Sequence, residues 1–220
     1  MPNGLTIADI QQAFFEYRAN FKEPIADLWY GAKQGEIIKR LLTTLSPWHV
    51  GLENITWNHA AKNASEIQLT IEVRSLLARI QLGLGGLTMS VLNPDWSRAP
   101  QYVSLFQTGL DELRASTGQE LRLQQTTLGF HVKPGKEPFR DILAGFVNAK
   151  SLGGEDAAMF GVSVYHNDHS FVIDGSALFP GNVFIKLLRN FVPEKRFEEM
   201  AKVLHADEEN VLEKIGLKLQ

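Results

Sequence analysis

Residues 65–91 constrain the fold of this chain more than any other stretch, because apolar and polar side chains alternate along them. From Glu66 to Arg74 every second residue is apolar, which is the period-two pattern of a strand with one buried face. The alternation changes phase twice, first between Arg74 and Leu77 and again after Gly85-Gly86. This stretch therefore predicts the centre of an antiparallel sheet.

Both phase changes have an interpretation that keeps the apolar side chains on one face. The first predicts a β-bulge inside one long bent strand that runs from about Glu66 to Leu84. The second predicts a two-residue hairpin turn at Gly85-Gly86, because both central residues of a type I′ turn need positive φ. The pairs that follow are Leu84 with Leu87, Leu82 with Met89, and Ile80 with Val91.

Length and composition indicate an ordinary globular protein. A chain of 220 residues fits one large domain or two small halves and can bury roughly 70% of its extended surface. Because the chain has no cysteine, disulfides, thiolate metal sites and a cysteine nucleophile are excluded. The formal charge of −3 creates no global field that would attract nucleic acid or an anionic membrane.

The first ten residues contain no basic segment followed by an apolar core, so we predict no signal peptide. The longest apolar runs are interrupted by Arg79, Gln81 or glycine and fall short of the ~20 residues that span a bilayer. We expect a cytoplasmic protein without a membrane segment.

The remaining elements follow from apolar spacing, turn residues and prolines. The predicted strands are Phe14–Phe21 after a short helical turn, Leu52–His59, Leu121–Val132, Met159–His166 and His169–Phe179. The predicted helices are Glu36–Leu45, Tyr102 to near Gly118, Phe139–Val147, and three at the end, Val183–Phe191, Pro193–His205 and Asp207–Leu217. The fold class is therefore α+β, with helices on one face of an antiparallel sheet and a helical C-terminus.

The elements also suggest a repeat. Residues 10–117 and 118–192 each read as a strand-helix-strand-strand unit followed by a helix, with the C-terminal helices in residues 193–220. The alternative is a single α+β domain over residues 1–220 with one continuous sheet and no symmetry. The order strand, helix, several antiparallel strands, helix resembles the helix-grip group of folds, which implies a curved sheet that wraps a helix and encloses an apolar cavity.

The sharpest local feature is the segment Tyr165-His166-Asn167-Asp168-His169-Ser170. If Asn167-Asp168 form a hairpin turn, His166 and His169 are cross-strand partners, Val164 faces Phe171 and Val162 faces Ile173. Directly paired positions have β-carbons ~4.5–5.5 Å apart, which is close enough for two imidazoles to share a metal ion. Further ligands cannot be placed from the sequence, with Asp168, Asp174, His131 and Glu155 as the candidates. The alternative is a polar hairpin tip without a metal.

Four tryptophans lie at element ends, where large aromatic side chains either seal a core or line a ligand pocket. They are Trp29, Trp48, Trp57 and Trp96. We take them as candidate ligand-binding residues, with core sealing as the alternative.

Other motifs indicate no catalytic machinery or cofactor. The glycines at 83, 85 and 86 lie within a strand pair and lead into no helix, so they form no phosphate loop. Asp174-Gly175-Ser176 is a bare tripeptide without an identifiable histidine partner. The basic residues near Leu121–Val132 are diluted by acidic ones, and no nucleic-acid motif accompanies them.

The leading functional hypothesis is a non-catalytic module that binds a small apolar molecule or a protein partner through its sheet and helices. The alternative is a metal-dependent hydrolase that uses His166 and His169. A homodimer formed through a sheet edge or the terminal helices is compatible with either hypothesis.

Overall fold

The structure of the protein is a computed structural model that describes residues 6–30, 32–58, 67–134, 161–214 and 217–219. Within these ranges the strands are β1 (Thr6–Phe21), β2 (Ile55–Asn58), β3 (Gln68–Val73), β4 (Ala78–Gly83), β5 (Gly86–Leu92), β6 (Leu121–Pro134), β7 (Val162–Tyr165), β8 (His169–Gly175), β9 (Val183–Phe191) and β10 (Leu217–Leu219). The helices in the same ranges are α1 (Ala26–Trp29), α2 (Gln34–Leu45), α3 (Ala99–Thr117) and α4 (Phe197–Lys214).

Nine strands form an open antiparallel sheet in the order β2-β3-β4-β5-β1-β6-β9-β8-β7, and β10 pairs with β1 in parallel. The predicted α+β class, the antiparallel sheet and the C-terminal helix are confirmed. The long strands are β1, with 16 residues, and β6, with 14.

The chain divides into two compact units. Unit 1 comprises Met1–Phe14, Thr127–Arg189 and Lys202–Gln220, and unit 2 comprises Phe15–Thr126 and Asn190–Ala201. The strands β1, β6 and β9 and the helix α4 each run from one unit into the other. The single domain and the repeat of residues 10–117 and 118–192 stay predictions, and the predicted helix Phe139–Val147 lies outside the described residues.

In unit 2 the helices α2 and α3 cover the buried face of β3, β4 and β5. Alternate residues of these strands are buried, as the sequence predicts for a one-sided sheet. A β-carbon at Gly109 of α3 would lie 3.2 Å from the Met89 side chain and 3.9 Å from that of Leu45, so strand and helix meet closely there. The predicted helices Glu36–Leu45 and Tyr102 to near Gly118 are confirmed as α2 and α3.

The prediction of one long strand from Glu66 to Leu84 is wrong. Residues 74–76 form a 3₁₀ turn, and β3 and β4 are two strands that pair with each other, Leu69 with Leu82. A bulge and a tight turn produce the same change of phase, and residues 74–77 contain no glycine, proline or asparagine to mark a turn. Leu77 supplies the positive φ instead, at 50°.

The turn between β4 and β5 is also displaced by one residue. Gly83 pairs with Gly86 and Leu82 with Leu87, so the turn residues are Leu84 and Gly85. Gly86 therefore belongs to a strand, and a β-carbon there would fall on the carbonyl oxygen of Ala19 in β1. This close approach explains why glycine occupies the position.

Three further predictions of secondary structure are wrong. Val183–Phe191 is the strand β9 rather than a helix, and its buried residues alternate at Val183, Ile185 and Leu187. The two last predicted helices are the single helix α4, and its middle residue Asp207 is no N-cap. The predicted helical turn before Phe14 is part of β1.

A buried polar bracket fixes the chain between β9 and α4 in unit 2. Tyr17 donates its hydroxyl to Gln124 Oε1 at 2.6 Å. The amide nitrogen of Gln124 donates to the carbonyls of Val192, Pro193 and Lys195 at 2.9 to 3.0 Å. Burial raises the pKa of Tyr17 above its ordinary value, so the phenol stays protonated and acts as donor.

Candidate functional site

The β7–β8 hairpin of unit 1 forms as the sequence predicts. Val162 pairs with Ile173 and Val164 with Phe171, which is the predicted register. His166 donates its backbone N–H to the carbonyl of His169 at 2.8 Å and closes the turn. The two histidines are therefore cross-strand neighbours at the hairpin tip.

The two imidazoles stack face to face. Their ring centroids are 4.2 Å apart and the ring planes differ by 13°. A metal ion lies in the plane of each imidazole that binds it, along the nitrogen lone pair, at about 2.0–2.1 Å. Parallel stacked rings do not direct their lone pairs at one point, so coordination would require at least one ring to rotate.

Across the described part of the chain, no group of three or more His, Asp or Glu side chains is placed to hold a metal ion. The metal site at His166 and His169 stays a prediction, and elemental analysis of the purified protein tests it directly.

Asp168 orients one of the two rings. Its Oδ1 lies 2.7 Å from His169 Nδ1. That hydrogen bond, together with the positive charge of Arg189, holds the pKa of Asp168 below its ordinary value. With an ionised carboxylate as partner, Nδ1 carries the proton, and Nε2 of a neutral His169 is an acceptor.

Arg189 of β9 connects this hairpin to α4. It donates Nε and Nη2 to the two carboxylate oxygens of Asp207, at 2.6 and 2.9 Å, and Nη1 to Asp168 Oδ2 at 2.8 Å. The Arg189 and Asp207 side chains are only 17% and 20% exposed. A bidentate pair of this kind fixes both position and orientation.

A pocket of about 230 Å³ lies between the hairpin, strands β8 and β9, and the helix α4. Its apolar wall is formed by Phe171, Leu187, Leu188 and Val211. Its polar lining comes from His166, His169, Ser170, Asp207 and Asn210. The pocket therefore combines an apolar wall with a polar one, and it is more polar than a typical small-molecule site.

The four tryptophans lie in unit 2 and do not line this pocket. Trp29 is buried and meets Trp57 edge to face, with ring centroids 5.2 Å apart. Trp48 is half-buried, and its carbonyl accepts a hydrogen bond from Ser75 Oγ at 3.0 Å. Trp96 is 46% exposed. The structure thus brings two of the four together, and Trp29 seals a core.

A second polar pair in unit 1 joins His131 to Ser176. Both side chains are buried, and His131 Nδ1 lies 2.8 Å from Ser176 Oγ, which also accepts the N–H of Phe179 at 2.9 Å. Phe184 stacks on the imidazole with centroids 4.7 Å apart. Burial lowers the pKa of His131, so the neutral ring holds the loop after β8 in place.

Sequence reasoning found the hairpin but missed the groups that complete the site. Arg189 and Asp207 were placed on predicted helices, so no strand-to-helix ion pair could be foreseen. Ser176 was recognised without a partner because His131 lies 45 residues away. No local pattern marks either contact.

The chain is an α+β protein with a small surface pocket beside its C-terminal helix. The chain matches no protein-family model, and no curated protein is detectably similar to it. None of the helices in the described ranges has the length and apolar character needed to cross a membrane.

Proposed function

We propose that this protein is a non-catalytic module that binds a small molecule with an apolar part in the pocket beside α4. The observation that supports the proposal is the lining, in which four apolar side chains form one wall opposite five polar residues. Removing an apolar ligand from water against such a wall contributes about 25 cal/mol per Å² of apolar surface buried.

The pocket's size limits the ligand. Sites for drug-sized molecules measure about 300–1,000 Å³, and this pocket holds about 230 Å³. The ligand is therefore the size of a single ring or a short chain. We propose a cytoplasmic metabolite of that size.

The test uses benzyl alcohol as probe and the methyl resonances of Leu187, Leu188 and Val211 as readout. We expect these resonances to shift and saturate with a Kd of about 1 mM, which corresponds to a binding free energy of about −4 kcal/mol. The variant Val211→Phe fills the pocket and should abolish the shifts of Leu187 and Leu188.

Val203→Phe is the matched control, since Val203 lies on the same helix outside the pocket lining. It should leave binding unchanged. The proposal is wrong if the methyl resonances do not respond to the probe. It is also wrong if both variants respond equally.

A second candidate function, association with another copy of the chain, is favoured by exposed apolar residues in unit 2. Leu77 and Leu92 lie directly outside the paired residues Ala78 and Val91 and are 71% and 51% exposed. Trp96, which is also exposed, begins the 3₁₀ turn that follows β5. Sedimentation at several concentrations should detect a dimer that weakens in Leu92→Ser, while a monomer at every concentration rejects it.

A further inference from the structure

We infer that the ligand of this pocket carries a neutral polar group, such as a hydroxyl or a carboxamide, rather than a carboxylate, a phosphate or an ammonium. The inference rests on the proposed binding function and names the chemical class of the ligand. It follows from the ion pairs beside the pocket, in which the charged side chains already bind one another.

Arg189, which pairs with the pocket-lining Asp207, already has its positive charge shared between two carboxylates. Arg189 directs Nε and Nη2 at Asp207 and Nη1 at Asp168, so each of its three nitrogens already donates to a carboxylate oxygen. Its side chain is 17% exposed, which leaves little room for a second anion. With neutral imidazoles, Arg189, Asp168 and Asp207 together carry one excess negative charge, which repels an anionic ligand.

Every carboxylate oxygen of Asp168 and Asp207 already accepts a hydrogen bond from a protein side chain. Both oxygens of Asp207 and Oδ2 of Asp168 accept from Arg189, and Oδ1 of Asp168 is bonded to His169. A ligand ammonium would have to share oxygens that already bind a guanidinium, whose bidentate hydrogen bonds are about twice as strong as neutral ones.

The polar groups that remain are neutral and both donate and accept hydrogen bonds. In the described part of the chain, the Ser170 hydroxyl and the Asn210 carboxamide, which line the pocket, have no protein hydrogen-bond partner. A neutral His169 whose Nδ1 donates to Asp168 adds the acceptor Nε2. A hydroxyl or carboxamide can satisfy these groups, whereas a charged group would lose its hydration without gaining a counter-charge.

Four probes that share one ring and differ in charge test the inference at pH 8. They are benzyl alcohol, benzamide, benzoate and benzylamine, titrated against the Leu187 and Leu188 methyl resonances. We expect the two neutral probes to bind at least tenfold more tightly than the two ions. If benzoate or benzylamine binds as tightly as benzyl alcohol, the inference is wrong although the pocket binds ligands. If none of the four shifts the resonances, the binding function itself fails.

A charge variant gives an independent reading. Asn210 is exposed at the pocket rim, so Asn210→Asp should fold normally and add a carboxylate without an arginine partner. We expect this variant to bind benzylamine at least fivefold more tightly than the wild type and benzyl alcohol more weakly. An unchanged ranking of the four probes would overturn the role assigned to Asn210.

Discussion

At the scale of single residues, the buried polar side chains are each held by a specific set of partners. Gln124 is the clearest case, because one amide joins the Tyr17 hydroxyl to three backbone carbonyls. Buried groups that lose their partners cost more than the lost bond contributes, since they remain desolvated. The stability of unit 2 should therefore depend strongly on this side chain.

Gln124→Leu should lower the free energy of unfolding by about 2–4 kcal/mol, because the Tyr17 hydroxyl and three carbonyls lose their partner. Urea denaturation measures the change. Gln125→Leu is the matched control on the same strand and removes one half-buried bond to Asn190, so about 1 kcal/mol is expected. If the two variants lose equal unfolding free energy, the hydrogen bonds of Gln124 do not have the special role proposed for them.

His131 should make stability depend on pH. Burial lowers its pKa in the folded state, whereas the unfolded chain binds a proton with the ordinary imidazole pKa of about 6.5. The unfolded state then binds more protons at acid pH, so this contribution to stability is complete above pH ~6.5 and is lost as pH falls through the folded-state pKa.

The variant His131→Asn keeps an acceptor near Ser176 and removes the titration. Its unfolding free energy should fall less than that of the wild type between pH 7 and pH 5. His49→Asn, at an exposed histidine, should retain the wild-type dependence. If the unfolding free energy of His131→Asn depends on pH as strongly as that of the wild type, other groups cause the pH dependence.

At the scale of elements, alternation predicted the strands better than the turns between them. The β7–β8 register was predicted correctly because Asn167-Asp168 marks its turn. The β3–β4 turn was missed because Leu77 occupies a position where turn residues are expected. Val183–Phe191 was predicted as a helix because its apolar residues fit a helical period as well as a strand period. Arg189 on this strand, which pairs with His169 and bonds Asp168, was therefore not predicted as their neighbour.

The Leu77 backbone adopts a strained left-handed conformation, and its side chain is not buried in return. It lies at φ 50° and its side chain is 71% exposed. A left-handed conformation costs a non-glycine residue roughly 1–2 kcal/mol. Leu77→Gly should therefore raise the free energy of unfolding by about 0.5–1 kcal/mol, after the entropy that glycine adds to the unfolded chain.

Calorimetric melting measures this gain, and Leu76→Gly is its contrast. Leu76 is buried, so its loss from the core should destabilise the protein. A Leu77→Gly variant that melts below the wild type would show that the leucine side chain contributes contacts that outweigh the strain.

At the scale of the whole molecule, four elements run through both compact units. Substitutions in either unit should then shift one common unfolding transition, as expected for a cooperative domain. Leu45 in unit 2 and Ile185 in unit 1 are both buried, and truncating each to alanine should cost about 2–5 kcal/mol.

Far-UV circular dichroism and tryptophan fluorescence should report coincident melts for Leu45→Ala and Ile185→Ala. The four tryptophans all lie in unit 2, so fluorescence follows that unit alone. If Ile185→Ala lowers the dichroism midpoint and leaves the fluorescence midpoint in place, the chain consists of two independent domains.

The backbone contact at Gly86 restricts how far this sequence can diverge while keeping its fold. Since even a methyl group there would collide with the carbonyl of Ala19, any descendant of the same ancestor that pairs these strands must keep glycine at this point. A sequence pattern for this fold would therefore require a glycine within alternating aliphatic residues, seven positions before a polar turn. Such a pattern should still match homologues whose overall sequence identity is low.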